Sequence, residues 1–284
     1  MGTKQKFWFS RGGEMWLFKA TRPGQGEHWA EVIAGGLAEL LGLPHAHYEL
    51  ARWSNKAGVV TRRFTLEGFD LVHGNELLAE RDPSYPREGA RYVRTQQHTI
   101  EAVMGALTAE GVALPIDWAP PVGVESSVDV FGGYLLLDAW IGNTDRHHEN
   151  WAVVVNVAKN ERHLAPTFDH ASSLGAHELD ETRSRRLEAT DPGFTVDSYV
   201  QRPRVRSALY ARAGAAKPLG LIETVSAWSK GAHCAPWLDR LGSVREDDVD
   251  ELITRVPASE MSGPARAFTR AILEANRRGI LGAL

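Results

Sequence analysis

Two polar segments carry residues whose types and spacing suit phosphoryl transfer. The first segment reads Asn143-Thr-Asp-Arg-His-His-Glu-Asn150, and the second reads Pro166-Thr-Phe-Asp169. The first holds an acid, Asp145, and an amide, Asn150, and a second acid, Asp169, follows one predicted hairpin later. Phosphoryl transfer requires groups that position a hydroxyl acceptor, hold magnesium on the phosphates and offset negative charge. The order acid, amide, hairpin, acid therefore predicts a phosphoryl-transfer site.

The side-chain types in these segments also match a magnesium-dependent reaction. Magnesium prefers carboxylate and amide oxygens, so Asn150 and Asp169 are the predicted metal ligands. Asp145 would orient the acceptor hydroxyl and take its proton late in the reaction. Arg146 and His147 would support the loop as donors to Asp145 or to nearby carbonyls, and His147 is also counted among the nucleotide-binding residues.

A purely structural interpretation of the same residues stays open. Asn143, Thr144 and Asp145 are typical of a helix end or a turn, and Asp169 could cap a helix. Each residue taken singly fits either interpretation. Their joint occurrence on both sides of one hairpin favours the catalytic interpretation.

The elements that must position these residues are short strands in the first part of the chain and helices in the second. Predicted strands cover residues 6–9, 15–20, 46–52, 58–64, 151–156 and 163–168. Predicted helices cover residues 27–41, 98–110, 127–142, 218–229, 246–255 and 263–278. Residues 67–98 are rich in loop-forming residues. The sequence thus predicts an α+β protein with a β-rich beginning and a mainly helical remainder.

The two motifs together resemble a known family. The string Ile141-Gly-Asn-Thr-Asp-Arg-His-His-Glu-Asn-Trp151, followed by Leu164-Ala-Pro-Thr-Phe-Asp169, resembles the catalytic and metal-binding loops of HipA-like kinases and, more distantly, those of phosphatidylinositol kinases. Residues 27–43 resemble the helix of the family's N-lobe, and residues 71–78 resemble a segment of its shorter members. The resemblance implies a two-lobed protein-kinase-like fold, with a small N-lobe at residues 1–66 and a larger C-lobe at residues 67–284. It also implies that Asp145 is the catalytic base.

The chain departs from the better-known kinases in two respects. Asp169 begins the sequence Asp-His-Ala-Ser-Ser rather than Asp-Phe-Gly, which is typical of HipA-like and atypical kinases. The chain also begins almost at the nucleotide lobe, so we expect the N-terminal subdomain of full-length HipA-like toxins to be absent.

The nucleotide side of the predicted site depends on a lysine and an acid. Lys19 ends a predicted strand, and a strand fixes the origin of a flexible point charge that suits the α and β phosphates. A surface lysine is the alternative. By resemblance to the family, Glu31 is the proposed partner of Lys19, and Glu27, one helical turn earlier, is the competing choice.

Three glycine-containing or strand-ending segments are candidates for contacts with the rest of the nucleotide. Ser10, Gly12 and Gly13 would supply backbone N–H groups over the phosphates, although an ordinary hairpin turn explains them equally well. Residues 21–26 are a second candidate for that task. Residues 64–68, where strand character ends, would form the interlobe hinge that meets adenine.

Composition limits the partners of the chain. A formal net charge of −4 over 284 residues gives no bulk attraction to nucleic acid, so no direct nucleic-acid contact is expected. The single cysteine, Cys234, forms no intramolecular disulfide, which fits a reducing cytoplasm. No stretch approaches the ~20 apolar residues of a membrane helix, so no membrane insertion is expected.

The residues predict an ATP-dependent phosphoryl-transfer enzyme with ATP and Mg²⁺ bound at the site. The resemblance to HipA-like kinases implies that the γ-phosphoryl group goes to serine or threonine hydroxyls of a protein. The identity of the protein substrate is open, and the family resemblance implies a possible antitoxin partner. Two alternatives stay open. One is a lipid or small-molecule kinase of the phosphatidylinositol-kinase type, and the other is a pseudokinase that binds a partner without turnover.

Overall fold

The computed structural model describes residues 5–86, 94–231 and 233–283. Within them lie seven strands: β1 Lys6–Arg11, β2 Glu14–Ala20, β3 Tyr48–Trp53, β4 Lys56–Arg62, β5 Asp70–His73, β6 Ala152–Asn156 and β7 Glu161–Leu164. The α-helices are α1 Glu27–Leu41, α2 Gly74–Arg81, α3 Ile100–Ala109, α4 Ser127–Ile141, α5 Asp180–Leu187, α6 Val196–Val200, α7 Leu221–Trp228, α8 Ala235–Ser243, α9 Glu246–Arg255 and α10 Gly263–Ala283. Residues 1–4 of the predicted N-lobe and residues 87–93 of the predicted loop region lie outside the described residues.

The first four strands form one antiparallel sheet in the order β1-β2-β4-β3. The alternation of strand β2 explains its place, because Trp16, Phe18 and Ala20 are buried on one face and pack with Val60 of β4. The register sets Lys19 of β2 opposite Val59 of β4. A lysine near the end of an inner strand is thereby held on a rigid support.

Helix α1 covers the residues that the periodicity predicted, and it packs against strands β3 and β4. Its buried side includes Trp29, Ile33, Leu37 and Leu41, spaced as one face of a helix requires. The helix ends at Gly42, whose φ of 75° lets its N–H bond the carbonyls of the last turn. The same helix also contacts α4, α8 and α9, so it joins the sheet to the helical part.

Residues 67–98 differ from the prediction of a loop-rich region. Strand β5 pairs with β6, with Leu71 opposite Val154, and α2 follows directly. The Glu76 carboxylate accepts a hydrogen bond from the His73 N–H at 3.1 Å, which begins α2. Strand β7 also ends at Leu164, earlier than predicted. Helices α5, α6 and α8 were not predicted.

Helix α4 is the central element of the helical part. It is buried on every side, with Asp129 its one residue outside the buried set. Ser126 and Asp129 cap its start reciprocally, and Gly142, at a φ of 69°, ends it. The polar segment 143–150 follows at once, so the most buried helix of the chain fixes where that segment begins.

The result is a two-lobed kinase-like fold, with a small antiparallel sheet and α1 set on a larger helical part. This confirms the predicted fold class. The position of the boundary, after residue 66, remains a prediction. Within the described ranges no helix combines the length and the apolar character that crossing a bilayer requires.

Candidate active site

A cavity of about 780 Å³ lies where the small sheet meets the helical part. Residues from both lobes line it, among them Lys19 and Tyr48 from the sheet and Asn150 and Asp169 from the two polar segments. The fold therefore brings together, in one cavity, three residues that are far apart in the sequence and were predicted to share a site.

Lys19 is an ion-pairing residue of this cavity rather than a free surface lysine. Its Nζ lies 3.4 Å from Asp169 Oδ2 and 3.9 Å from Glu31 Oε1. Burial by itself would lower the pKa of Lys19, but the neighbouring Tyr48, Asp169 and Glu31 together raise it above its ordinary value. The lysine thus stays positively charged, as binding a phosphate requires.

The acid beside Lys19 is Glu31 and not the competing Glu27. The Glu31 carboxylate is buried and also accepts a hydrogen bond from the His170 backbone N–H at 2.7 Å. Burial raises the pKa of Glu31, and Lys19 opposes that shift. Glu27 instead pairs with Arg22 at 2.8 Å. Helix α1 therefore bonds both the lysine and the segment that follows Asp169.

Asp169 occupies a backbone conformation that few residues adopt. Its φ is 61°, in the left-handed region, where aspartate is better tolerated than most residues because its short polar side chain bonds locally. Its N–H donates to the Tyr48 hydroxyl at 3.1 Å. Burial raises the pKa of Tyr48, so that hydroxyl stays neutral. Such strained positions cluster at functional sites, and here the strain aims a carboxylate at Lys19.

A buried ion pair lies beneath the first polar segment. Arg146 donates from Nε and Nη2 to the two carboxylate oxygens of Asp138 in α4, each at 2.8 Å. Asp138 also accepts a hydrogen bond from the Asn143 amide at 2.7 Å. Arg146 Nη1 donates to the carbonyl of Asn150 at 2.7 Å and to that of Phe168 at 3.2 Å. One guanidinium thus holds α4, the end of the first segment and the residue before Asp169 in fixed relation.

Asn150 is oriented so that its side-chain oxygen is available. Its amide Nδ2 donates to the backbone carbonyl of Asp145 at 2.7 Å, which leaves Oδ1 as the accepting end of the group. Asp169, in the same cavity, contributes carboxylate oxygens. Hard oxygen donors of these two kinds fit magnesium, so the residues present suit the predicted ion.

Asp145 lies in the same loop but outside the set of described residues that line the cavity. Its side chain is half-exposed and pairs with Arg94, whose Nη2 lies 3.2 Å from Oδ1. Arg94 also donates to the Thr144 carbonyl at 2.7 Å. The loop therefore presents the predicted base beside this cavity and not within it.

The remaining predicted contacts are dispersed. His147 is buried and accepts a hydrogen bond from the Glu149 N–H at 3.2 Å, and burial lowers its pKa. Gly12 and Gly13 form the turn of the β1–β2 hairpin, both at positive φ, while Ser10 lies in β1 opposite Met15. None of these four residues is among the described residues that line the cavity, so their nucleotide contacts remain predictions.

Some of the other residues that line the cavity were predicted to contact the nucleotide, and others were not. The proposed hinge contributes Phe64 and Thr65, and the Phe64 ring stacks on Phe168 at a centroid distance of 5.8 Å. Strand β1 contributes residues 6–8, which had no predicted role, while the described positions 21–26 contribute none. The sheet face, rather than a glycine-rich turn, covers this side of the cavity.

No functional prediction covered Asp138, Arg94 or Tyr48, each of which contacts a predicted site residue. An aspartate inside an otherwise apolar helix was a usable signal for Asp138, because a buried charge requires a partner. Arg94 and Tyr48 reach the site through long-range packing, for which the local sequence has no pattern.

His98 supports the site from the helical part and makes stability depend on pH. Its Nε2 accepts from the Trp151 indole at 3.2 Å, and its Nδ1 bonds the Ala208 carbonyl at 3.0 Å. Burial lowers the pKa of His98 to about 3. The unfolded chain, with an ordinary histidine pKa, binds the proton first, so stability is expected to fall as the pH drops from about 6.5 towards 3.

The free energy of unfolding should fall less between pH 7 and pH 5 in His98→Gln than in the wild type, by up to about 2 kcal/mol. Denaturant unfolding at both pH values measures this difference. His47→Gln is the control, since the His47 side chain is 65% exposed. An unchanged pH dependence in His98→Gln would contradict the assignment of a neutral imidazole.

A lysine paired with a helix acid and the order acid, amide, hairpin, acid across a cavity between two lobes define the protein-kinase class of fold. The family model for the HipA-like C-terminal domain matches residues 1–215. The chain belongs to this family of kinases, as the resemblance of its two motifs predicted.

Two solved structures are similar to the chain in fold. One is the proinflammatory kinase CtkA of Helicobacter pylori, with a TM-score of 0.76, 19% identity, and coverage of 99% of this chain and 91% of that one. The other is HipA of Shewanella oneidensis MR-1, solved with HipB and operator DNA, with a TM-score of 0.61, 13% identity, and coverage of 100% of this chain and 67% of that one. No curated protein matches the chain in sequence.

Proposed function

We propose that this protein is an ATP-dependent kinase that transfers the γ-phosphoryl group of ATP to a serine or threonine hydroxyl of a protein. The observation that carries the proposal is the position of Lys19 in a cavity that Asn150 and Asp169 also line, with its Nζ 3.4 Å from Asp169 and 3.9 Å from the buried Glu31 behind the wall. Structural ion pairs need no cavity of about 780 Å³ beside them, whereas a nucleotide site does.

Each residue has a part in the proposed reaction. Lys19 binds the phosphates as a point charge, and Glu31 holds its ammonium in place. Asp145 orients the acceptor hydroxyl, whose oxygen forms a bond to the γ-phosphorus as the bond to the β-phosphate oxygen breaks, and it accepts the hydroxyl proton. Asn150 and Asp169 would hold Mg²⁺, which when bound neutralises phosphate charge.

Support for a protein acceptor comes from membership of the HipA-like family. The HipA neighbour is described in a toxin-antitoxin complex with HipB and operator DNA, and we extend from it the proposal that this chain has an antitoxin-type protein partner. The acidic net charge of −4 favours a protein partner over direct nucleic-acid contact.

Lys19→Met is the first test of the nucleotide site. Loss of a charge-assisted contact to phosphate should weaken ATP binding roughly 10- to 100-fold. Isothermal titration with ATP and magnesium measures the affinity, and circular dichroism verifies the fold. Lys159→Met, an exposed substitution in the turn between β6 and β7, is the matched control. Equal ATP affinity in wild type and Lys19→Met would contradict the proposed site.

The acceptor is tested by incubating the wild type with labelled ATP, magnesium and, in separate reactions, extracted proteins and phosphatidylinositol vesicles. Label on protein serine or threonine is the expected result. Label on lipid alone would replace the protein acceptor with a lipid. A magnesium-dependent thermal shift with ATP but no transfer to any acceptor would instead identify a binding module.

A further inference from the structure

A second cavity, of about 340 Å³, lies beside the first polar segment and apart from the nucleotide cavity. Thr144, immediately before Asp145, lines one side, and residues 172–178, which follow Asp169, line another. No described residue lines both cavities. A group bound here would therefore lie next to the proposed base without displacing the nucleotide.

The wall of this second cavity is fixed by hydrogen bonds. Leu174 donates its N–H to the Ile141 carbonyl at 2.8 Å, and its own carbonyl accepts from the Thr269 hydroxyl at 3.1 Å. Gly175 has a φ of 69°, and a Cβ there would lie 2.7 Å from the Phe268 ring. The cavity is thus preformed by the packing of α4 and α10 against the segment.

Positive charge is concentrated at the other side of the second cavity. Arg202 and Arg204 line it, and Arg186 lies behind them, with its guanidinium 5.1 Å from the ring centroid of Tyr199. The Arg202 guanidinium also contacts this ring, 3.6 Å from its centroid. We call Arg186, Arg202 and Arg204 the arginine cluster.

The arginine cluster has fewer negative neighbours than its charge requires. Glu178 pairs with Arg202 at 3.4 Å, while exposed Arg204 forms no ion pair with any described residue. Burial lowers the pKa of Arg186, and repulsion from the nearby charges of Arg202 and Arg204 lowers it further. An added anion would relieve this repulsion.

We propose that the second cavity binds an acidic side chain of the acceptor, so that the substrate is a peptide segment with aspartate or glutamate close to its serine or threonine. This inference rests on the proposed kinase function and narrows its substrate class. The planar fork of arginine matches a carboxylate with two parallel hydrogen bonds, which gives orientation as well as attraction. A carboxylate held there would place the neighbouring hydroxyl beside Asp145.

A peptide library tests the substrate class directly. Each peptide carries one serine, with glutamate, lysine or alanine fixed in turn at each flanking position, and the full chain is assayed with ATP and magnesium. Glutamate at the matching position should lower the KM for peptide about tenfold relative to alanine, as expected for one charge-assisted contact. The KM for ATP should not change, because the two cavities share no described residue.

Charge reversal at Arg204 should reverse the preference. Arg204→Glu removes no ion pair between described residues, so the variant is expected to fold, and it should favour lysine peptides over glutamate peptides. Arg212→Glu is the matched control, because Arg212 is exposed and does not line the second cavity. A binding site for the acidic side chain predicts a change in peptide KM, whereas a purely structural role for Arg204 predicts none.

Two results would overturn the inference and are distinguishable from failure of the kinase proposal. Equal KM values for glutamate, lysine and alanine peptides would remove the acidic preference while leaving a protein kinase. An unchanged glutamate preference in Arg204→Glu would place the selecting group elsewhere. Binding of ATP with no phosphorylation of any peptide would instead refute the protein acceptor, and the inference with it.

Discussion

Asp145→Ala is expected to slow phosphoryl transfer by about 10²- to 10⁴-fold, the range by which a positioned general base accelerates a reaction. Binding of ATP should be retained, because Asp145 is not among the described residues that line the nucleotide cavity. Phosphoproteomics of cells that express wild type or variant measures the loss of phosphoryl transfer. Titration of the purified proteins with ATP measures the nucleotide affinity. The loss should appear in the rate and not in the nucleotide affinity.

Asp247→Ala is the matched control for this experiment. Asp247 is exposed in the first turn of α9 and belongs to neither cavity, so it should retain full activity. Full activity of Asp145→Ala on every substrate of the wild type would show that the assignment of the base is wrong. Loss of ATP binding together with activity would indicate a disturbed loop rather than a missing base.

Arg146→Met is expected to lower the free energy of unfolding by about 3–5 kcal/mol, since it leaves a buried carboxylate without its counter-ion. The Asp138 and Arg146 side chains are 3% and 1% exposed, so water cannot substitute for the missing partner. Denaturant unfolding measures the change. The folded variant should also bind nucleotide more weakly than the wild type, because Arg146 bonds the carbonyls of Asn150 and Phe168.

The double variant Asp138→Leu with Arg146→Met distinguishes the effect of the unpaired carboxylate from the effect of the lost hydrogen bonds of Arg146. Removing both charges should recover part of the lost stability but not the loop geometry. Arg255→Met, which breaks an exposed pair with Glu251, should change stability by less than about 1 kcal/mol. If the double variant is no more stable than Arg146→Met, the unpaired carboxylate is not the cause of the loss.

The polar segment that we propose as catalytic could be singled out from the sequence because its information is local. Asp145 and Asn150 share one loop between a long apolar run and a strand of consecutive valines, and Asp169 follows the partner strand. Helix α1 was equally predictable, since its apolar residues repeat with helical spacing up to Gly42. The pairing of Lys19 with Glu31 was expected from the family resemblance, because no local pattern in the sequence shows that the end of β2 lies beside α1.

What could not be predicted depends on contacts between distant parts of the chain. Strand β5 has four residues, too few for a periodic pattern, and it forms by pairing with β6, some 80 positions later. Arg94 reaches Asp145 from outside any predicted element. The preference for a sheet face over the Gly12–Gly13 turn as the cavity wall likewise follows from tertiary packing alone.

The segment around Asp169 is hydrogen-bonded to α1, to β3 and to the chain between them. Thr167 exchanges backbone hydrogen bonds with Pro44 and Ala46, the Asp169 N–H bonds Tyr48, and the His170 N–H bonds Glu31. These bonds lie on the α1 and β3 side, and β1 is at the opposite edge of the sheet. A relative rotation of the lobes that preserves these hydrogen bonds must have its axis close to them. The edge of the cavity formed by β1 would then move furthest, while the carboxylate of Asp169 stays almost stationary.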